Sequence, residues 1–275
     1  MSVPAVLVVY NRPAHTRRVI ESLRPHCPQD VFVFCDGPKD GASTKAVDVT
    51  RAELERIDWT EPVIVKRKKN AGLANSIVLA VDTILSDYDS MILLEDDCVV
   101  GPHFFTFMHD CLARYENNKS IVGVTGYTVP VPEALRAGYP YDAYFLPRPG
   151  SWGWATWADR WAWYERDFAV GLARARRDNI DLTIAGKDLP GMIQAMIDGK
   201  LDAWTPGWVL ATARHGLFAY PTCSHVQNVG FDGTGVHCGA STRYDTPMAT
   251  EAPSRYPAEL AIDATMLENF RRYYG

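Results

Sequence analysis

Met91-Ile92-Leu93-Leu94-Glu95-Asp96-Asp97-Cys98-Val99-Val100 passes from four apolar residues into three consecutive acids and back to apolar chain. Adjacent carboxylates repel one another, so three of them set directly after a buried-type strand call for a cation at their side. The carboxyl end of a strand in a parallel α/β sheet is also where ligands bind. Most short charge runs are solvated turns. Here the apolar flanks on both sides favour the cation.

Upstream and downstream of this stretch, strand-like and helix-like segments alternate. Val3 to Tyr10, Val31 to Cys35, Pro62 to Lys66, Ser90 to Leu94 and Ile121 to Thr125 read as strands. They are continuous apolar runs, as expected when helices cover both faces of a sheet. Ala14 to Leu23, Thr44 to Ile57, Leu73 to Leu85 and Phe104 to Tyr115 read as helices, with apolar residues on one side such as Ile77, Val78, Val81, Ile84 and Leu85. The order β-α-β-α-β-α-β-α-β predicts an α/β fold with a doubly wound, mostly parallel sheet of the nucleotide-binding type. From Val129 the texture changes. Pro130, Pro132, Pro140, Pro147 and Pro149 mark a long connection, and five of the eight tryptophans fall between Trp152 and Trp163. Residues 1–128 therefore read as the nucleotide-binding half, and residues 129–275 as an appended half for the second substrate, since pockets form where an added lobe meets a sheet edge. A last helix is expected from Glu259 to Tyr273.

The chain has 275 residues, 47% hydrophobic and 22% charged, which suits a globular fold with a sizeable core. A net charge of −5 argues against a sequence-independent hold on nucleic acid, which needs a basic face. No apolar stretch reaches the length of a membrane span. The N-terminus lacks a secretory pattern, because Asn11-Arg12-Pro13 interrupts the apolar run. The six scattered cysteines have no zinc or redox spacing. Free thiols and a cytoplasmic location are expected. Peripheral contact with the inner membrane face, through the tryptophans or Arg174-Arg176-Arg177, stays open.

Other strand ends supply further candidates. Asn11 and Arg12 follow the first strand and Asp36-Gly37 the second, on the same edge of the sheet as Asp97. A carboxylate there can accept from a base or ribose, and an arginine can pair with phosphate. Singly, each is a turn; their convergence is what suggests a nucleoside site. The basic run Lys66-Arg67-Lys68-Lys69 leads into a small-residue helix start, where exposed amides suit a diphosphate, with Gly72 and Asn75 as the expected contacts. Trp154, Trp157 and Trp161 lie at helical intervals and read as core. Trp152, in the loop Ser151-Trp152-Gly153, is the better surface for a sugar ring.

Taken in order, strand then Asn-Arg-Pro, strand ending Asp-Gly, Asn-x-Gly-Leu, strand ending Glu-Asp-Asp, and Gly150-Ser151-Trp152-Gly153-Trp154 resembles the GT-A fold of nucleotide-sugar glycosyltransferases. The chain is similar to bacterial family-2-like enzymes and to the inverting N-acetylglucosaminyltransferase I group, over residues 3–240. The resemblance implies a metal-dependent inverting glycosyltransferase of the hexosyltransferase class, serving polysaccharide biosynthesis. A nucleotide-diphosphate sugar would be the donor and a glycan, lipid-linked or small-molecule hydroxyl the acceptor. It places Mn2+ or Mg2+ on Asp97, with His237 as a candidate further ligand from the Gly-rich segment Gln227 to His237. It sets Glu95 and Asp96 against ribose or sugar hydroxyls, Arg12 and Asp36 on the nucleotide, and Trp152 with Gly153 on the substrate. It makes Asp202, in Lys200-Leu201-Asp202-Ala203-Trp204, the general base, with Trp204 beside it as a second sugar platform. The arginine that often follows that segment in the family is replaced here by Gly207. Two other readings share this sheet: a sugar-nucleotide pyrophosphorylase, whose Gly-rich loop after the first strand is missing, and a carbohydrate-binding protein without catalysis.

Overall fold

In the computed structural model, which describes residues 2–184, 186–213, 216–234 and 239–274, the first half of the chain builds four strand–helix steps. β1 (Ala5–Val9) is buried throughout and turns at Arg12 into α1 (Pro13–Leu23). Pro13 suits the first helical position, where its missing N–H removes no hydrogen bond. β2 (Val31–Cys35) leads to α2 (Gly41–Glu53), started by a capping box between Asp40 and Ser43. β3 (Val63–Lys66), α3 (Leu73–Leu85) and β4 (Ser90–Glu95) follow. β5 (Cys98–Val100), α4 (Phe104–Tyr115) and β6 (Ile121–Thr125) complete this half.

The second half contributes α5 (Glu133–Gly138), β7 (Ala143–Leu146), β8 (Trp154–Trp157) and α6 (Ala158–Trp161). A helical group follows: α7 (Phe168–Arg177), α8 (Leu189–Ile197) and α9 (Thr205–Thr212). β9 (Leu217–Pro221), β10 (Val226–Asn228) and α10 (Ala264–Tyr274) close the chain. Eight strands form one sheet in the order β3-β2-β1-β4-β8-β6-β9-β7, and β10 pairs with β5 in a small second sheet. β1 to β4 are mutually parallel and β6 and β9 run the same way, while β8 and β7 run against them. The α/β class and the mostly parallel sheet agree with the sequence expectation.

β6 does not sit beside β4, because β8 is wedged antiparallel between them, Ile92 and Val124 both facing Ala155. Trp154-Ala155-Thr156-Trp157 is therefore a strand, not part of a helix. A four-residue strand covered on both faces shows no alternation, and tryptophans three apart imitate a helical face. In the strand, Trp154 and Trp157 point to opposite faces. The core role of these rings holds: Trp154 is 2% exposed, with Trp157 and Trp161 also buried. Truncating such a ring to alanine costs about 3–5 kcal/mol. The last helix starts later than expected, at Ala264.

The main core runs from Ala5 to Phe270 through both halves. A smaller one, with Leu172, Ile193 and Leu210, sits between α7, α8 and α9. The five described cysteines are free, three of them buried. No described helix is long and apolar enough to cross a membrane.

Candidate active site at the carboxyl edge of the sheet

The ends of β1, β2 and β4 meet in a cavity of about 490 Å3. Its walls carry most of the residues singled out from the sequence: Asn11, Arg12, Asp36, Gly72, Glu95, Asp96, Asp97, Trp152, Asp202 and Trp204. Parallel strands in register explain the convergence, since Val8 pairs with Glu95 and with Phe34, so all three ends open on one edge.

Charge is concentrated around the acids. Glu95 is pushed up to about 8, mainly by burial and then by the neighbouring Asp97 and Asp96, and the Trp204 side chain donates a hydrogen bond to it. Asp96 is raised in the same way, by burial first and Asp97 second; its Oδ2 lies 3.4 Å from the amide of Tyr10. The Arg12 guanidinium donates to Asp97 Oδ2 at 2.8 Å and stands 3.8 Å from Asp96. Asn228 Nδ2 donates to the other oxygen of Asp97 at 3.1 Å. One guanidinium thus faces three crowded carboxylates.

The segment after β10 closes over this group. Gly230 lies against Asp97, so that a Cβ there would stand 2.2 Å from Asp97 Oδ2 and force that carboxylate to shift. Arg12 also reaches Thr234 Oγ1 at 3.3 Å, and His15 Nε2 stands 3.0 Å from Asp232 Oδ2 in a charge contact off the line of a hydrogen bond. Hydrogen bonds from Thr234 hold Asp232 low, with His15 and Arg12 adding to the effect.

Asp202 occupies a place the sequence did not suggest. Its Oδ2 accepts from the amide of Leu73 at 2.7 Å and its Oδ1 from that of Ala74 at 2.9 Å, so it caps the start of α3. Gly72 has φ +82, and a side chain there would run into Asp202 Oδ2. The helix-start amides expected to meet a diphosphate therefore hold a protein carboxylate. Asn75, the other expected contact, turns back to the carbonyl of Ala71 at 3.0 Å and is not on the cavity wall. Asp36 is buried and accepts from the amides of Gly37 (2.8 Å) and Ala71 (2.9 Å), tying the end of β2 to the loop before α3.

Trp152 lies edge-on to Tyr127, Phe231 and Tyr244. Gly153 is not on the cavity wall and faces Val226, Phe104 and Leu94 instead. Trp204, 2% exposed, stacks on Trp154 at 4.6 Å; it serves Glu95 as a donor more than it offers a free face. His237 lies outside the described residues. Tyr10, Lys39, Asn70, Asn228 and Phe231 also line the cavity. Of these, Asn228 and Phe231 belong to the Gly-rich segment that the sequence marks.

Among the described residues no group of three His, Cys, Asp or Glu is placed to hold a metal. The donor set is instead one or two carboxylates at the edge of an open cavity. Mg2+ typically binds that way, taking its other oxygens from water and substrate phosphates, and Mn2+ accepts the same hard ligands. The crowding that raises Glu95 and Asp96 is what a cation beside them would relieve.

No family model and no curated protein matches the sequence. Solved structures that are similar in shape include the following three. A mannose-1-phosphate geranyltransferase from Thermus thermophilus matches with TM-score 0.41 and 11% identity, over 80% of this chain and 74% of that one. Protein A197 from STIV matches with TM-score 0.36 and 14% identity, over 82% and 84%. A glucose-1-phosphate thymidylyltransferase from Bacillus anthracis matches with TM-score 0.35 and 8% identity, over 58% and 74%.

Proposed function

We propose that the chain is a divalent-metal-dependent inverting glycosyltransferase acting on a nucleoside-diphosphate sugar. The observation that carries this reading is the convergence of Glu95, Asp96 and Asp97 with Arg12, Asp36 and Asp202 on one cavity at the carboxyl edge of the sheet. Asp97, with Asp96, would hold the ion; when bound, Mn2+ or Mg2+ supplies Lewis-acid charge to the departing diphosphate. Arg12 is placed to exchange Asp97 for a phosphate oxygen, and Lys39 adds a second cation on the same wall. Asp36 retains acceptor capacity beyond its amide partners for the nucleoside.

In the transfer, the bond from the anomeric carbon to the phosphate oxygen breaks as the acceptor oxygen bonds to the opposite face. The acceptor proton passes to a carboxylate. Asp202 is the proposed base. Its two amide bonds use two of roughly four acceptor positions and fix its orientation, leaving the rest for the acceptor hydroxyl. Trp152 would pack against the sugar.

The test is a thermal-shift and calorimetric screen of nucleotide sugars with and without Mn2+, on the wild-type chain and on Asp97→Ala. Donor binding that requires Mn2+ and is lost in the variant supports the reading; no binding of any donor overturns it. A pyrophosphate arm separates the pyrophosphorylase alternative. Pyrophosphate-dependent cleavage of the donor to a sugar 1-phosphate would replace transfer as the activity.

A further inference from the structure

A second cavity, of about 610 Å3, opens at the far end of the same sheet edge. β9 runs in the direction of β6 and, across antiparallel β8, of β4, so Pro221 at its end lies on the edge that carries Glu95. Antiparallel β7 brings Ala143 opposite Pro221, and the cavity lies over these two ends. From Thr222 the chain then crosses the sheet. The amide of His225 donates to Gly126 at 2.7 Å, and Val226 to Asn228 pair with Val100 to Cys98. One segment thereby lines both cavities, with Cys223 and His225 on the second and Asn228 and Phe231 on the first. Four strand spacings separate them, ~19 Å.

The walls of this cavity suit a neutral polyhydroxyl ligand. Asp142 accepts from the amides of Ser254 (2.9 Å) and Arg255 (2.8 Å) and from the Arg255 guanidinium (3.1 Å). Arg136 pairs with Glu133 and donates to the Cys223 sulfur at 3.4 Å. Each arginine is matched by a carboxylate, which disfavours a phosphate and leaves the alternating donors and acceptors that sugar hydroxyls bridge. Tyr141, 38% exposed, sets an aromatic ring at the rim, a surface for the apolar face of a pyranose. His225, 3% exposed, adds a ring whose Nδ1 has no hydrogen-bond partner.

We propose that this second cavity is a saccharide subsite, holding the distal part of an oligosaccharide acceptor whose reacting hydroxyl reaches Asp202. The subsite rests on the transfer reading above.

Its test is calorimetry of the full chain with maltotetraose, cellotetraose, chitotetraose and mannotetraose without donor, with alkylation of Cys223 by iodoacetamide as a local footprint. At least one tetrasaccharide should bind and slow alkylation of Cys223 without affecting the exposed Cys27. Tyr141→Ala should weaken that binding about tenfold and leave the nucleotide-sugar thermal shift unchanged. The subsite is overturned if none of the four binds, if binding leaves Cys223 alkylation unchanged, or if Tyr141→Ala binds as tightly as wild type. Donor binding without tetrasaccharide binding removes the subsite alone. Tetrasaccharide binding at Cys223 without any donor binding removes the transfer reading and with it the acceptor role of the subsite, leaving a saccharide-binding cavity alone.

Discussion

Glu95 is where β4 hands the chain to the cavity, and its protonation records the crowding there. Burial, Asp97 and Asp96 raise it from its ordinary 4.5 to about 8. Between those values the native state holds a proton that the unfolded chain has released, so stability falls as pH rises through that window. Glu95→Gln removes the charge and keeps an acceptor for Trp204. In the absence of divalent ions the variant should melt above wild type at pH 8 and level with it near pH 4.5, each kcal/mol being worth ~2–4 °C. A melting difference that is flat with pH, or larger at low pH, would reject this account. Asp202 makes a different prediction. An asparagine has one carbonyl oxygen for the two α3 amides, so Asp202→Asn should lose about 1 kcal/mol of stability. If it is also the base, kcat should fall by about 10²–10⁴ with donor affinity kept. A variant that melts lower but turns over normally would leave Asp202 as a cap and nothing more.

At the scale of elements, β1 to β4 were legible because each is an unbroken apolar run ending in a polar signal, and parallel pairing then brings Arg12, Asp36 and the three acids together. β8 was not, since four residues buried on both faces carry no period. The partners of the acids were equally hidden. Asp202 reaches amides 128 and 129 positions away, and Asn228 reaches Asp97 from 131 positions away, so no local pattern announces either contact. The segment from Asn228 to Thr234, part of the Gly-rich run Gln227 to His237, is held down by Arg12, which spans Asp97, Gly230 and Thr234. Arg12→Ala should therefore free it. Hydrogen exchange of residues 228–234 should speed up by about tenfold or more, in line with the 1.5–3 kcal/mol of a charge-assisted hydrogen bond. Unchanged protection would mean that the pairing of β10 with β5, not Arg12, sets the position of the segment.

At the scale of the whole molecule, the two halves of the sequence share a sheet. β8, from the second half, is hydrogen-bonded to β4 and β6 from the first, and one core extends from Ala5 to Phe270. Removing either half would expose strand edges and apolar faces of the other, so the halves should unfold together. The tryptophans make this measurable. All but Trp59 lie beyond residue 150, and Trp154, Trp161, Trp204 and Trp208 are buried. Tryptophan fluorescence thus reports the second half, whereas far-ultraviolet circular dichroism reports helices α1 to α4 as well. In a urea titration the two signals should trace one transition with a common midpoint and a common slope. A fluorescence transition at lower urea, with the circular dichroism of the first half intact, would show that residues 129–275 unfold as a unit of their own and that β8 adds little to the hold between them.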